Sequence, residues 1–499
     1  MSFGVRDVLL LAAVALVARP GSAAEGPLHE RVDALIDAAA RGRPMSPPVD
    51  DAGFLRRLGL DLTGAIPTAR EARAFLDDPA PEKRARLIDR LLDGPEYPRR
   101  MQELVDVMFM ERLGENPEWA KYLRASFAAN KPWDRLVGEI LRGDSDDEAA
   151  RGAAFFYAKR LEHYGENPVD YPALTRDVGR LFLGIDLRCA QCHDHLFIAD
   201  YTQRDFQGLH AFFRNIALRD VKVPSIVETP TTRKMEYMSV FTKVAKATGP
   251  RIPGLEEIDL PALKPGDEYL TPPDPKTKSP GTPRFRLLEA LARRLPTAAN
   301  PAFARNLVNR LWFVMMGRGL VHPLDQFHAE NPPSHPELLD LLASEFVRHG
   351  HDGKWLLREL ARTRTYQRSD ILPADADDVP PESFRTALEK RLAAEQLLRS
   401  MLVATGSGDP AASAREVAAG FEPLKARFLK AFANEPREPE DELNPSLRAA
   451  LFVQNDRAVL DLLTPRPDNL VDRLAKQADA AAVAAELYVS ILTRRPSPE

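Results

Sequence analysis

The chain has 499 residues, 44% of them hydrophobic and 28% charged, with two cysteines and a formal net charge of −5. This is an ordinary globular composition on a length that predicts two or three domains. The slightly acidic balance offers no basic stripe for phosphate backbones and argues against nucleic-acid binding.

Residues 1–24 read as a signal peptide: Arg6 opens the segment, VLLLAAVALVA over 8–18 is its apolar stretch, and Ser22-Ala23-Ala24 is the cleavage site. A run of eleven residues is too short to cross a bilayer as a helix, and no later stretch is long enough. The expectation is an exported protein, periplasmic or extracytoplasmic, without a transmembrane span after cleavage; an uncleaved anchor is the alternative, because Asp7 weakens the basic end.

Downstream the apolar spacing is helical. Leu28, Val32, Leu35, Ile36 and Ala39 share one face of a helix over 28–41, which a Pro-rich link at 44–48 follows. Thr68 and Glu71 have capping-box spacing. Pro81 opens a helix with Leu87, Ile88, Leu91 and Leu92 inward and Gly94 as its stop. Helices follow over 99–113 and 117–129, and Asp134 caps another that ends near Gly143. The 172–182 pattern is a further helix ended by Gly184, and Thr202 with Asp205 starts one carrying Phe206, Leu209 and Phe213.

From 219 to 283 short β-branched runs broken by Pro and Gly predict a small β-rich, Pro-rich insertion. The second half returns to helices at 284–295 and 303–316. Another is capped by Ser334 and Glu337 and ends at Gly350, and its pattern continues through Trp355 and Leu360. After a linker at 370–382 come helices over 384–405, 414–435, 445–463 and 480–492. The predicted fold is mainly α, with helical domains over 25–218 and 284–499 and the insertion between them.

The chemistry concentrates in CAQCHDHLF. Cys189, Cys192 and His193 have the C-x-x-C-H spacing of covalent haem attachment and use every cysteine in the chain. In that reading each thiol joins one vinyl group of haem c and His193 is the axial ligand to iron. Candidates for the sixth ligand are His163, His210, Met235, Met238 and His328. His195 lies too near His193 to reach the opposite face of the ring. Two other readings of the pair are a disulfide, which an oxidising compartment permits, and a zinc cluster of Cys189, Cys192, His193 and His195. Elsewhere His322, His328 and His335 lie near Asp325 and Glu330 and form a candidate polar cluster, while Asp144, Asp146, Asp147 and Glu148 read as a solvated loop. No P-loop, dinucleotide-binding turn, H-E-x-x-H or nucleophile elbow is present.

The chain resembles a pair of domains common in planctomycetes and related bacteria: the cytochrome-c-like PSCyt-type domain of unknown function, followed by the PSD-type domain of unknown function. The first resemblance rests on RRLGLDLTGAIPT (56–68), RLIDRLLDGPEY (86–97) and the 182–213 stretch with CAQCHDHLF, TQRDFQGL and AFF. The second rests on FARNLVNRLWFVMMGRGLVHPLD (303–325), NPPSHPELL (331–339) and TRTYQRS (363–369), and continues through 395–398, 447–463 and 487–496. The chain departs from the family pattern at Glu103-Leu104-Val105-Asp106, where the family tends to carry Trp-Leu-Asp, and at Leu196 and Ile198, where it usually has Pro and Asp. The resemblance implies export, a c-type haem and a mostly helical two-domain build, but no settled reaction. The leading expectation is an exported haem protein that passes electrons to or from a redox partner or serves a redox enzyme. One alternative is a haem-free helical module that binds a partner protein or polysaccharide, and another is an oxidoreductase with an open iron site.

Overall fold

A computed structural model describes residues 26–163, 165–372, 379–438 and 447–497. The segment read as a signal peptide lies outside the described residues. The fold is mainly α, with short two-stranded sheets only.

The chain begins with α1 (Leu28–Ala40), α2 (Asp51–Thr63), α3 (Ala69–Leu76), α4 (Lys83–Asp93), α5 (Glu96–Met110), α6 (Pro117–Ala128) and α7 (Trp133–Arg142). Thr68 and Glu71 form the expected capping box on α3, each satisfying a backbone N–H of the other's residue. Asp134 does not cap α7. Pro132 does, with its carbonyl accepting from Leu136 N at 2.9 Å, and Asp134 falls in the first turn, where its negative charge is favourable to the positive end of the helix dipole. Then come α8 (Phe155–Arg160), α9 (Tyr171–Val178), which runs on into a π turn over Gly179–Leu183, and α10 (Gln203–His210), capped by Thr202 as its spacing predicts.

The insertion is three antiparallel hairpins: β1 (Ile216–Asp220) with β2 (Ser225–Glu228), β3 (Met235–Met238) with β4 (Ala245–Thr248), and β5 (Tyr269–Thr271) with β6 (Thr282–Pro283). After it stand α11 (Leu287–Arg294), α12 (Pro301–Met316), α13 (Pro336–Arg348) and α14 (Gly353–Arg362). The Ser334–Glu337 capping box does not form. Pro336 takes the first position of α13, which makes His335 the N-cap and shifts the spacing by one. Last are α15 (Ala394–Thr405), α16 (Pro410–Phe432), α17 (Leu447–Asn455), α18 (Arg457–Leu460), α19 (Leu470–Ala475) and α20 (Ala480–Leu487). The helix expected from 384 starts ten residues later, since Phe384 adopts a left-handed φ of 52° and its ring packs edge-on against Trp312 at 5.1 Å.

One hydrophobic cluster takes in Val32, Leu58, Phe109, Phe182, Phe213, Leu311, Phe346 and Tyr366, so it runs through both halves of the chain. A smaller one, around Leu398, Phe421, Phe428 and Leu462, serves the C-terminal helices. Polar ties follow the larger cluster. On α1, Asp33 accepts from the backbone N–H groups of Arg364 and Thr365 at 2.7 and 3.0 Å, and His29 bonds Glu359 at 2.8 Å. The Pro-rich link pairs by backbone with the segment after α14, through Val49 N to Gln367 O at 2.8 Å and Ser369 N to Pro47 O at 2.8 Å. Among the described residues no helix is long and apolar enough to cross a membrane.

Candidate functional site

The C-x-x-C-H stretch leaves the core at Gly184, whose φ of +72° is open to glycine at little cost. A Cβ there would stand 2.6 Å from the Phe327 ring and 3.0 Å from Asn306 Oδ1, so the approach of the two halves also requires glycine. Bonds to the second half hold the stretch, among them Asn306 Nδ2 to Leu181 O at 2.8 Å, Phe327 N to Gly184 O at 3.0 Å, and Tyr201 OH to Phe327 O at 3.1 Å.

Cys189–Gln191 forms a single 3₁₀ turn. Ala190 is fully buried within the main core and pins the turn, which turns Cys189 and Cys192 outward; both thiols are free and exposed. The turn's polar groups are satisfied from three directions. Gln207 Nε2 on α10 donates to Gln191 O at 2.9 Å, Arg176 Nη1 on α9 to Gln191 Oε1 at 2.7 Å, and Val240 N in the β3–β4 loop to Cys192 O at 3.1 Å. That hairpin is a wall of the site, a role that sequence reasoning did not give it. Phe241 lies with its ring 4.6 Å from that of His193. Phe241, Leu196 and Phe197 are 64%, 65% and 84% exposed, so large apolar side chains flank the stretch on both sides and face water.

The two histidines are in opposite tautomers. His193 Nδ1 is 2.7 Å from Asp194 O, and because a carbonyl can only accept, Nδ1 carries a proton, which in the neutral ring leaves Nε2 its lone pair. His195 Nδ1 instead accepts from the backbone N–H groups of Phe197 and Ile198 at 3.2 and 3.0 Å, so the neutral ring bears its proton on Nε2. His195 therefore staples the loop. The nearby carboxylates of Asp194 and Asp200 are engaged elsewhere, Asp194 with Gln203 N at 2.8 Å and Asp200 with Ala329 N at 2.6 Å.

The five other candidate ligands are dispersed. His163 is exposed and bonds Asn167 O at 3.2 Å. His210 stacks on Phe206 and bonds Thr175 Oγ1 at 2.9 Å; burial pushes its pKa down to about 4 and keeps it neutral. Met235 is buried, and His328 packs its ring against Tyr201 at 5.4 Å. Met238 is half exposed at the end of β3, two residues before Val240, and its carbonyl accepts from Gln203 Nε2 at 3.2 Å, which puts it on the segment bonded to the site. Of the polar cluster expected around His322, His322 and Asp325 line one pocket, where His322 stacks on Phe313 and Asp325 is 3.8 Å from Arg180, while His335 lies against Phe384. Among the described residues no group of three or more His, Cys, Asp or Glu side chains is arranged to hold a metal ion, the zinc set of Cys189, Cys192, His193 and His195 included. In the acidic run Asp144 and Asp147 accept from backbone N–H groups two residues on, the turn-forming role of a solvated loop.

Fold and site together define a mainly helical protein that presents a C-x-x-C-H turn at its surface. The chain carries two domains of unknown function in tandem: residues 31–217 match PSCyt2, a protein of unknown function (DUF1549), and residues 288–442 match PSD1, a protein of unknown function (DUF1553). No curated protein and no solved structure matches the chain.

Proposed function

We propose that the protein carries a covalently bound haem c and passes electrons to or from a redox partner, or serves an associated redox enzyme, outside the cytoplasm. The observation that carries this reading is the state of the C-x-x-C-H turn: two free, outward-facing thiols beside an imidazole whose Nδ1–H is held by a carbonyl, leaving Nε2 with a free lone pair. That donor set suits the group, because haem c needs two thiols for its vinyl carbons and one unprotonated imidazole nitrogen for iron. Bound there, haem supplies one-electron iron chemistry.

The rest of the work falls to this chain. Cys189 and Cys192 would anchor the group, and Asp194 O would hold the His193 ring in the ligating tautomer. Phe197, Leu196 and Phe241 would lose their exposure to water against an apolar macrocycle, each such burial contributing roughly 1.5–3 kcal/mol. Met238 is the candidate for the sixth position that the hairpin carries nearest along the chain to Val240, the residue bonded to Cys192. The apolar leader over residues 1–24 supports export, since bacteria attach haem c outside the cytoplasm.

A pyridine haemochrome spectrum tests the proposal on the full chain expressed with its leader in a host that matures c-type cytochromes. A c-type band that survives acid-acetone extraction and is lost in Cys189→Ala/Cys192→Ala is the expected result. Absence of haem from the folded wild-type protein would refute it.

A further inference from the structure

A second feature lies where the two family segments meet. Residues of α2 and α5 from the first segment, and Phe313, Val314 and 388–396 from the second, line a cleft of about 690 Å³. That volume is in the range of small-molecule sites.

Its lining carries five basic and five acidic side chains, but they are unevenly paired. Asp61 accepts Lys390 Nζ on both oxygens at 2.6 Å and the Tyr366 hydroxyl at 2.7 Å. Glu103 receives Arg99 at 3.2 Å and Arg399, and Glu395 receives both terminal nitrogens of Arg112 at 2.9 and 3.2 Å. Each inner carboxylate thus has its own cation. Three guanidinium groups of the same cleft have only neutral oxygens: Arg56 Nη1 donates to Ile491 O at 2.8 Å and Thr493 Oγ1 at 3.4 Å, Arg57 Nη1 to Tyr366 O and Arg368 O, and Arg100 Nε to Asp61 O at 3.4 Å. Among the described residues none of the three has a carboxylate within ion-pair distance, and each keeps nitrogen donors to spare. Arg100 is the telling case. It is 7% exposed and lies in the field of Glu103, Asp61 and Glu395, yet none of these carboxylates is within ion-pair distance of its guanidinium. Burial lowers the pKa of Arg56 and Arg100, yet a guanidinium stays charged in proteins.

We propose that this cleft binds a small organic oxyanion, a carboxylate or a phosphate or sulfate monoester, between Arg56, Arg57 and Arg100. Guanidinium forks match these groups two oxygens at a time. Leu104, Val107 and Phe313 form an apolar wall for the ligand's carbon frame. Asp370 and Glu389, both exposed at the lining's edge, would repel a long polyanion and favour a compact ligand.

The test titrates the full chain with citrate, glucuronate, glucose 6-phosphate and glucose 6-sulfate at constant ionic strength, by calorimetry and by thermal shift. Saturable binding of at least one probe is expected, and the carboxylate and ester arms identify the preferred headgroup. Arg100→Gln and Arg56→Gln should each weaken it by about tenfold, the loss of one charge-assisted contact. Should a variant fail to fold, hydrogen exchange on the wild type decides, with slower exchange in α2 and α5 expected when the probe is present. No saturable binding of any probe, equal affinity in folded variants, or no change in exchange overturns the proposal. Cys189→Ala/Cys192→Ala should bind the anion as the wild type does, so this result and the haem result are read separately.

Discussion

Replacing Lys390 by Met should weaken the junction between the two family segments more than any exposed substitution. Lys390 Nζ donates to both oxygens of Asp61 and to the carbonyls of Val314 and Met315 at 3.1 and 2.9 Å, which end α12, so one ammonium group joins α2 to a helix C-terminus. The Asp61 side chain is 7% exposed and that of Lys390 23%. Removing one partner of a fully buried pair costs about 3–5 kcal/mol, because the other charge stays behind unpaired. The partial exposure of Lys390 brings this to about 2–3 kcal/mol, Asp61 keeping only the Tyr366 hydroxyl. At about 2.1 cal/mol/K per residue the unfolding entropy of so long a chain is near 1 kcal/mol/K, so Tm should fall by about 2–3 °C. Urea unfolding of Asp61→Asn, Lys390→Met and the double variant measures the pair directly. The singles should sum to more than the double by about 1–2 kcal/mol. A cost for Lys390→Met below about 0.5 kcal/mol, or strict additivity, would refute the clamp.

Three further outcomes are expected. Gly184→Ala should destabilise the protein by about 2–4 kcal/mol, from the left-handed φ and the Phe327 clash, and should speed hydrogen exchange at Cys192, where a merely local strain would not reach. Asp106, whose pKa burial lifts to about 6 although it accepts Trp119 Nε1 at 2.8 Å, carries a penalty that is absent below about pH 4 and complete above pH 6. Asp106→Asn should therefore stabilise the protein by about 1–2 kcal/mol at pH 7, a figure reduced for its partial exposure, and by nothing at pH 3.5; equal gains at both pH values would contradict this. His195→Ala should raise amide exchange at Phe197 and Ile198 by hydrogen-exchange mass spectrometry and leave exchange at Gln191 and Cys192 as in the wild type; unchanged exchange at Phe197 and Ile198 would mean that His195 does not staple the loop.

What the sequence disclosed was mostly local. The capping box at Thr68, the N-cap at Thr202, the glycine stop at Gly143 and the C-x-x-C-H spacing depend on residues a few positions apart, and the structure has these caps and this stop where the spacing puts them. The mistaken helix start at 384 has a tertiary cause. Lys390 is drawn to Asp61 and Phe384 to Trp312, and the backbone between them is not helical. The wall of the candidate site was hidden for the same reason: Val240 and Phe241 meet Cys192 and His193 across nearly fifty residues, and a β-branched run broken by Pro and Gly carries no mark of its partner. The arginine-lined cleft was equally unreadable. RRLGLD is visible as a string, but that its guanidinium groups lack carboxylates emerges only when every neighbour is in place.

The ties of α1 to residues 359–368 have a bearing on the order of events during synthesis. The partners of His29 and Asp33 lie some 330 positions later, so a partly made chain holds its first helix with Val32 and Ile36 bare until the last third arrives. Contacts at such sequence distance form late and slow folding. Phe327 closes over Gly184 on a similar schedule, so the turn bearing Cys189 and Cys192 gains its hold on the second half only once residues 306–329 have been made.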